Sequence, residues 1–328
     1  MNITAFNFKT LMPELIMDAL ESVGLRIDSG LTALNSYENR VYQFLDEDRK
    51  RYVVKFYRPE RWSAEQILEE HELSLGLDEA EIPVVPPMRI NGSTLLNHEG
   101  FRFAVFPSVG GRQFEQDNDE QLEWVGRFIG RIHRHNGEKC FSFRPTISLE
   151  EYLYEPRREL EQSTLIAGKQ KEAFLRAVDL LIAEVKLYWT EDWHPLRLHG
   201  DLHASNILWR DGPMFVDLDD ARNGPAVQDL WMLLNGDRTE QQYQLSLLLD
   251  AYQEFMDFNP RELALMEPLR AMRMIYYLAW ISRRWGDPAF PHSFPWMVDA
   301  GFWEQQTVIF TEQVKLLREP PLQLMPSY

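Results

Sequence analysis

Along the first hundred residues, apolar positions come in short runs with a two-residue period, the pattern of half-buried strands. Residues 41–45 and 51–57 are two such runs, and the polar stretch 46–50 between them predicts a hairpin. Residues 101–106 predict a further strand. Asn91-Gly92-Ser93, between residues 88–90 and 94–97, predicts a second hairpin. Two helices interrupt this pattern. One spans residues 11–22. The other starts at Ser63, has Gln66 at the capping-box position and runs to about Leu77, before Pro83, Pro86 and Pro87 break it.

After the glycine pair Gly110-Gly111 the period changes. Leu122, Val125, Ile129 and Ile132 recur at helical spacing, and helices are predicted over residues 170–189, 225–234, 245–256, 263–285 and 303–317. A single hairpin interrupts them, with arms 207–209 and 214–216 around Asp211-Gly212. Strands followed by helices predict an α+β architecture. Its expected parts are an N-terminal lobe over 1–107, a hinge over 108–113 and a helical lobe over 114–328. Tyr276, Tyr277, Trp280 and Trp285 admit two readings, a cage for a quaternary ammonium or core packing. Met272, Tyr276, Ala279, Trp280 and Arg283 share helical spacing, which favours the core.

Composition narrows the class. The chain has 328 residues, 45% of them apolar and 26% charged, as in globular proteins. Its net charge of −17 repels phosphate backbones and anionic lipid, so neither nucleic acid nor membrane is an expected partner. The apolar run 274–281 is far short of the roughly 20 residues of a membrane span. The N-terminal segment has no basic start and no cleavage site, so no secretory signal is expected. The single cysteine, Cys140, has no internal disulfide partner, which favours a reducing, cytoplasmic setting.

The chemistry concentrates in LHGDLHASNILW and MFVDLDDA. Asp201 and Asn206 stand five apart in a loop, and Asp217 follows the second arm of the hairpin. Asn206 and Asp217 make the mixed amide and carboxylate set that suits Mg²⁺ alongside substrate phosphates. Asp201 is then free to orient a nucleophilic hydroxyl. Turn residues would be the plain alternative, since Asp and Asn are common in turns. Asp219 admits two roles, metal ligand or cap.

The order Asp, four residues, Asn, hairpin, Asp resembles the catalytic loop and metal aspartate of protein kinases. In YVVK, Lys55 resembles the strand lysine that reaches the α- and β-phosphates. Its ion-pair partner is sought among Glu65, Glu69, Glu70 and Glu72, and Glu69 is favoured by its distance to Leu73 and Leu77. The phosphate-covering segment 32–41 contains no glycine, so Ser36, Asn35 and Asn39 must act by side chain, with Ser36 the phosphate contact. HGDLHxxN, with Gly200 and His203 where protein kinases have Arg and Lys, is similar to the aminoglycoside phosphotransferase and choline kinase superfamily. YENRVYQF, VVKFYRPERW and LHGDLHASNILW match its bacterial group of stress response kinases, and the likeness covers about residues 30–310.

That resemblance implies a protein-kinase-like, two-lobed fold with a small β-rich N-lobe and a larger, mostly helical C-lobe. It implies ATP as co-substrate, Mg²⁺, and the catalytic pair Asp201 and Asp217, with Asn206 and Asp217 as metal ligands. Asp229 is implied to brace the catalytic loop. The implied activity is Ser/Thr protein phosphorylation with autophosphorylation, by a monomer. Relatives also phosphorylate small alcohols such as choline, homoserine and amino sugars. Asp217-Leu218-Asp219 replaces Asp-Phe-Gly, and no long activation segment separates it from the helix predicted at 225–234. A small-alcohol acceptor therefore stays open. So does a nucleotide-binding module without catalysis, suggested by the glycine-free loop. A metal oxygenase would need His199, Asp201 and a distant third ligand, for which His292 is the C-terminal candidate.

Overall fold

The structure, a computed structural model, describes residues 7–137, 139–166 and 168–325. Residues 1–6, which open the segment read for a secretory signal, lie outside them. The chain divides into two compact units. The first is Met1–Glu115 with Phe141–Arg144 and His203–Ala221, and the second is Gln116–Cys140, Pro145–Leu202 and Arg222–Tyr328. The sequence reading kept all of 114–328 together, but two short segments of it group with the strand-rich unit. Backbone pairing is one reason. Arg112 and Gln113 pair antiparallel with Trp209 and Leu208, and the Phe215 N–H donates to the Pro83 carbonyl.

The first unit opens with helix α1 (Pro13–Ser22). Strands β1 (Thr32–Ala33), β2 (Arg40–Leu45), β3 (Arg51–Phe56), β4 (Leu96–His98) and β5 (Phe101–Pro107) form an antiparallel sheet in the order β1-β2-β3-β5-β4. Alternation decides what each face carries. Phe44, Val54, Phe56, Phe103 and Val105 pack with Ile16, Ala19 and Leu20 of α1 in one core. Their neighbours Val53, Lys55 and Phe106 turn to the other face, and Val41 pairs with Lys55 across β2 and β3. Helix α2 (Ala64–Glu79) carries the full capping box between Ser63 and Gln66, and its Ile67 packs with Tyr57 and Ala104.

The second predicted hairpin is displaced. Residues 90 and 93 make one isolated bridge, and the extended pair is β4 with β5 around Glu99-Gly100, both at positive φ (48° and 87°). Pro86 and Pro87 have no N–H with which to extend a ladder before Asn91, whereas Leu96 pairs with Phe103. The hairpin Ile207–Trp209 with Pro213–Phe215 forms as expected, turning through Asp211 and Gly212.

The second unit is built from helices α3 (Asp119–Asn136), α4 (Glu155–Gln162), α5 (Gly168–Tyr188), α6 (Gln228–Trp231), α7 (Arg238–Tyr252), α8 (Met266–Arg284), α9 (Ala289–Ser293) and α10 (Ala300–Leu317). A short antiparallel pair, Leu196–Leu198 with Arg222–Gly224, joins them. The predicted helix 225–234 shortens to one turn, α6. The α3 stripe Leu122, Val125, Ile129 and Ile132 is buried as its spacing predicts. Gly126 and Gly130 lie one turn apart on α3, and a methyl group on either would collide with the carbonyl of Leu248 or Tyr252 in α7. Rings fill the seam of α5 with α10, where Phe174 meets Trp303 and Phe310 edge-on at 5.0 and 5.1 Å. Among the described residues no helix is long and apolar enough to cross a membrane.

The close approach of α3 and α7 predicts that Gly126→Ala lowers unfolding stability by about 1–3 kcal/mol in urea titration. Gly110→Ala, whose added methyl meets nothing within 4 Å, is the control and should leave the midpoint in place. Equal midpoints for both variants would refute the backbone contact as the reason for glycine.

Candidate active site

On its inner face the first unit encloses a cavity of about 410 Å³, within the usual range for small-molecule sites. Val41, Val53, Phe106 and Phe215 are apolar walls, and Ser36, Lys55, Asn206 and Asp217 line it with polar groups. Four of the residues singled out in the sequence thus meet around one space. Asp201 belongs to the second unit.

Lys55 is the electrostatic centre. Its side chain is 9% exposed, and its ammonium lies 2.9 Å from Asp219, 3.4 Å from Asp217 and 3.8 Å from Glu70. Burial pulls the Lys55 pKa down, but Asp219, Glu70 and Asp217 outweigh it and hold it well above the ordinary lysine value. Asp219 is buried too and pairs with Arg61. Burial pushes its carboxyl up, and Arg61, Lys55 and Arg144 overcome that, so it stays ionised well below the usual aspartate range. Glu70 goes the other way, because its burial outweighs the pull of Lys55 and Arg144. In this arrangement the Asp219 carboxylate lies against two cations of the protein itself, Lys55 and Arg61.

Glu69 is not the partner of Lys55. Its carboxylate accepts from the backbone N–H of Ser142 (2.6 Å), Phe143 (2.9 Å) and Arg144 (2.8 Å). The buried residues of α2 are Ile67, Glu70, His71, Leu73, Ser74 and Leu77. Helical geometry therefore turns Glu70 inward with Ile67, three residues before it. Leu73 and Leu77, by whose distance Glu69 was chosen, are both buried, but it is Glu70 and not Glu69 that turns inward with them. Glu69 instead fixes the short segment that carries Arg144. The Arg144 guanidinium then spans the Glu70 carboxylate (3.0 Å) and the carbonyls of Gln66, Asp219 and Ala221 (2.8, 2.7 and 3.1 Å).

The segment around Ser36 is held without glycine. Arg58 donates to the carbonyls of Glu38 (2.8 Å) and Tyr37 (3.1 Å) and pairs with the Glu38 carboxylate (2.9 Å). The buried Asn39 side chain accepts from the Arg58 N–H at 3.0 Å. Arg58, Arg61 and Arg144 were not singled out in the sequence. For Arg58 and Arg61 a signal existed, since both lie in RPER directly after the lysine strand.

Asp217 has φ 63° and ψ 62°, a left-handed conformation that Asp tolerates better than most residues. Its side chain is 59% exposed although Lys55 lies beside it. Asn206 ends the short turn Ala204–Asn206, and its carbonyl accepts from the Val216 N–H at 3.0 Å, joining the loop to the chain just before Asp217.

In the second unit Asp229 lies buried, and its carboxylate accepts from the backbone N–H of His199 (2.7 Å) and Gly200 (2.9 Å). His133 meets the same carboxylate at 3.2 Å, and Gln228 donates to the Gly200 carbonyl at 2.9 Å. Gly200 has φ 84°, which a residue with a side chain adopts only under strain. This brace has the geometry implied for Asp229. It positions the backbone leading into Asp201, whose carboxylate contacts Arg273. Of the aromatic series, Trp280 packs edge-on against Phe290 at 4.9 Å and Phe294 at 5.9 Å, whereas Tyr276 and Trp285 are half-buried and Tyr277 is exposed, so the series is only partly core. Among the described residues no group of three or more His, Cys, Asp and Glu is arranged to hold a metal ion, which leaves the oxygenase reading without its triad.

Residues 30–266 match the phosphotransferase enzyme family. Over its full length the chain is similar to stress response kinase A of Escherichia coli strain K12, 64% identical over 328 residues and covering 100% of both chains. It is 61% identical, with 100% of both chains covered, to the serine/threonine protein kinase RdoA of Salmonella typhimurium strain LT2. Among solved structures it is similar to amicoumacin kinase hAmiN in complex with AMP-PNP, Ca²⁺ and Ami, with a TM-score of 0.72 and 19% identity over 94% of each chain. A microcompartment-associated aminopropanol kinase gives a TM-score of 0.70 and 17% identity over 92% of this chain and 97% of that one. The kinase-like fold implied by the motifs is the fold these proteins share.

Two outcomes follow from the buried charges. Asp219→Ala removes the buried carboxylate shared by Lys55 and Arg61, leaving Lys55 to Glu70 and Asp217 and Arg61 to Asp220 and Glu38, and should cost up to about 3–5 kcal/mol in urea unfolding; a loss below about 1 kcal/mol would contradict the network. His71, bonded to the hydroxyls of Tyr57 (2.7 Å) and Thr94 (2.9 Å), is held neutral, its pKa lowered to about 3 by burial and then by Lys55 and Arg144. Between that value and the ordinary 6.5, the unfolded chain binds the extra proton. Stability from His71 is thus complete above pH ~6.5 and falls as pH drops toward 3, by up to ~1.4 kcal/mol per unit. His71→Gln should flatten that slope relative to the unsubstituted protein.

Proposed function

Because the chain belongs to the phosphotransferase enzyme family and is a kinase that moves phosphate to a hydroxyl group, we propose that it takes the γ-phosphate of ATP with Mg²⁺ and passes it to serine or threonine hydroxyls of proteins, its own included, in a cytoplasmic stress response. One observation carries this reading. Lys55, Asn206, Asp217 and Ser36 line a single cavity whose remaining walls are largely apolar.

The donor set fits a divalent cation. Asn206 and Asp217 offer a hard amide oxygen and a carboxylate, and the Asp217 side chain is 59% exposed rather than consumed by packing. When bound, such an ion neutralises charge on the β- and γ-phosphate oxygens. The chain's own residues do the rest. Val41, Val53, Phe106 and Phe215 grip the base of the nucleotide. Lys55, kept protonated by its carboxylates, holds the α- and β-phosphates. Ser36 contacts a phosphate from the segment stiffened by Arg58. Asp201 accepts a hydrogen bond from the acceptor hydroxyl and takes its proton as oxygen attacks the γ-phosphorus. The bond to the β,γ-bridging oxygen breaks, and ADP leaves.

The protein acceptor rests on the full-length relatives, named as a stress response kinase and as a serine/threonine protein kinase. A small-alcohol acceptor is the second reading, favoured by one feature. After Asp217 the chain makes a single turn, Leu218–Asp220, and enters the strand Arg222–Gly224, leaving no length for an activation segment.

γ-Labelled ATP with Mg²⁺, a basic protein and a panel of small alcohols separates the readings. Label is expected on the kinase itself and on the protein acceptor. Asp201→Ala should retain nucleotide binding and lose transfer by about 10²–10⁴-fold, while Asp217→Ala should lose productive Mg·ATP binding, and an unchanged response to the metal would count against its role. Label confined to small alcohols would move the function to metabolite phosphorylation. Wild-type turnover in Asp201→Ala would remove Asp201 as the base.

A further inference from the structure

We propose that Arg273 is the acceptor-selecting residue, a positioning residue that holds the Asp201 carboxylate and turns the site against cationic alcohols. The inference rests on Asp201 as the base and deepens that reading. Arg273 Nη1 lies 2.5 Å from Asp201 Oδ1, and the two side chains are 39% and 24% exposed. Both therefore face open space within the second unit. A pair this exposed adds little to stability, so the fold gains little from placing a guanidinium there.

Two other arginines of α8 are engaged elsewhere. Arg270 bonds Glu267 (3.2 Å) and stacks over Trp231, and Arg283 pairs with Glu159 (2.7 Å). Arg273 instead meets a carboxylate whose preceding backbone is anchored by Asp229 and Gln228. The loop supplies the rigid part and Arg273 fixes the rotamer. The loop itself contributes no strong cation, because the position after Leu202 is His203.

The chemistry sets the acceptor class. A hydroxyl approaching Asp201 enters beside a guanidinium with five N–H donors and no acceptor. Carbonyl or carboxylate oxygens flanking that hydroxyl find donors, while an ammonium next to it meets a like charge. The net charge of −17 attracts cations at long range, and Arg273 opposes them at the point of transfer. The fitting substrate is a serine or threonine in a polypeptide, with neutral or acidic neighbours.

The test measures kcat and KM with saturating Mg·ATP on two serine peptides, one flanked by glutamate and one by lysine, and on choline. The unsubstituted enzyme should prefer the acidic peptide by about tenfold or more. Arg273→Ala should bring the two peptides within about twofold by raising KM for the acidic one and lowering it for the basic one. KM for ATP should not move. Arg273→Lys, which keeps the charge and loses the fork, should restore part of the preference. An unchanged preference in Arg273→Ala, or a preference of the unsubstituted enzyme for the lysine peptide or choline, overturns the inference. Asp201→Asn separates the two levels. If it keeps its turnover, the reading of the base has failed; if it is inactive while Arg273→Ala selects normally, only the role of Arg273 has failed.

Discussion

A buried ammonium is tolerated only when carboxylates surround it, and those carboxylates must in turn be compensated. Lys55 imposes that requirement on the first unit. Asp219 and Glu70 meet it, Arg61 and Arg144 neutralise them, and Glu69 fixes the backbone of Arg144. The chain of compensation reaches from β3 to α2, to Phe141–Arg144 and to the segment after the hairpin. It gives those two distant segments a reason to pack with the sheet rather than with the helices that flank them in sequence. Lys55 stays charged as a result, which is the state that binds phosphate.

The second unit applies the same logic to a loop. A buried carboxylate, Asp229, accepts from two backbone N–H groups, and Gly200 supplies the positive φ that the turn requires. In both units a buried acid is enclosed by its partners and an acid of the proposed site is more exposed. Asp219 is enclosed while Asp217 opens into the cavity; Asp229 is enclosed while Asp201 remains partly exposed. In the proposed mechanism rigidity and reactivity are thus divided between different acids, and the ionic cost of burial falls on the enclosed ones.

How much of this was readable varies with the physics of each residue. The strands 41–45, 51–57 and 101–106 and the stripe on α3 follow from periodicity, which is a local property. Lys55, Asn206 and Asp217 were singled out from their resemblance to kinase motifs and Ser36 as a substitute for the missing glycines, and all four line one cavity. The choice of Glu69 over Glu70 failed because every candidate on α2 is acidic and the helix has no sharp apolar stripe, so the sequence has no contrast to orient it. The hairpin at Asn91-Gly92 failed because turn residues fix a bend and not the length of ladder that follows. Arg144 gave no signal, since its partners are mostly backbone carbonyls far along the chain.

The sequence by itself determined the periods of the elements, the turn positions and the inventory of chemical groups, because dihedral preference and side-chain chemistry act over a few residues. Tertiary structure decided which acid faces Lys55, that Arg58 stiffens the glycine-free loop around Ser36, that Asp219 is enclosed by cations, and that Arg273 meets Asp201. Each of these is a pairing of charges or polar groups across long chain separations. Such pairings are set by which burial costs must be compensated once the segments have packed, and that accounting exists only in the folded chain.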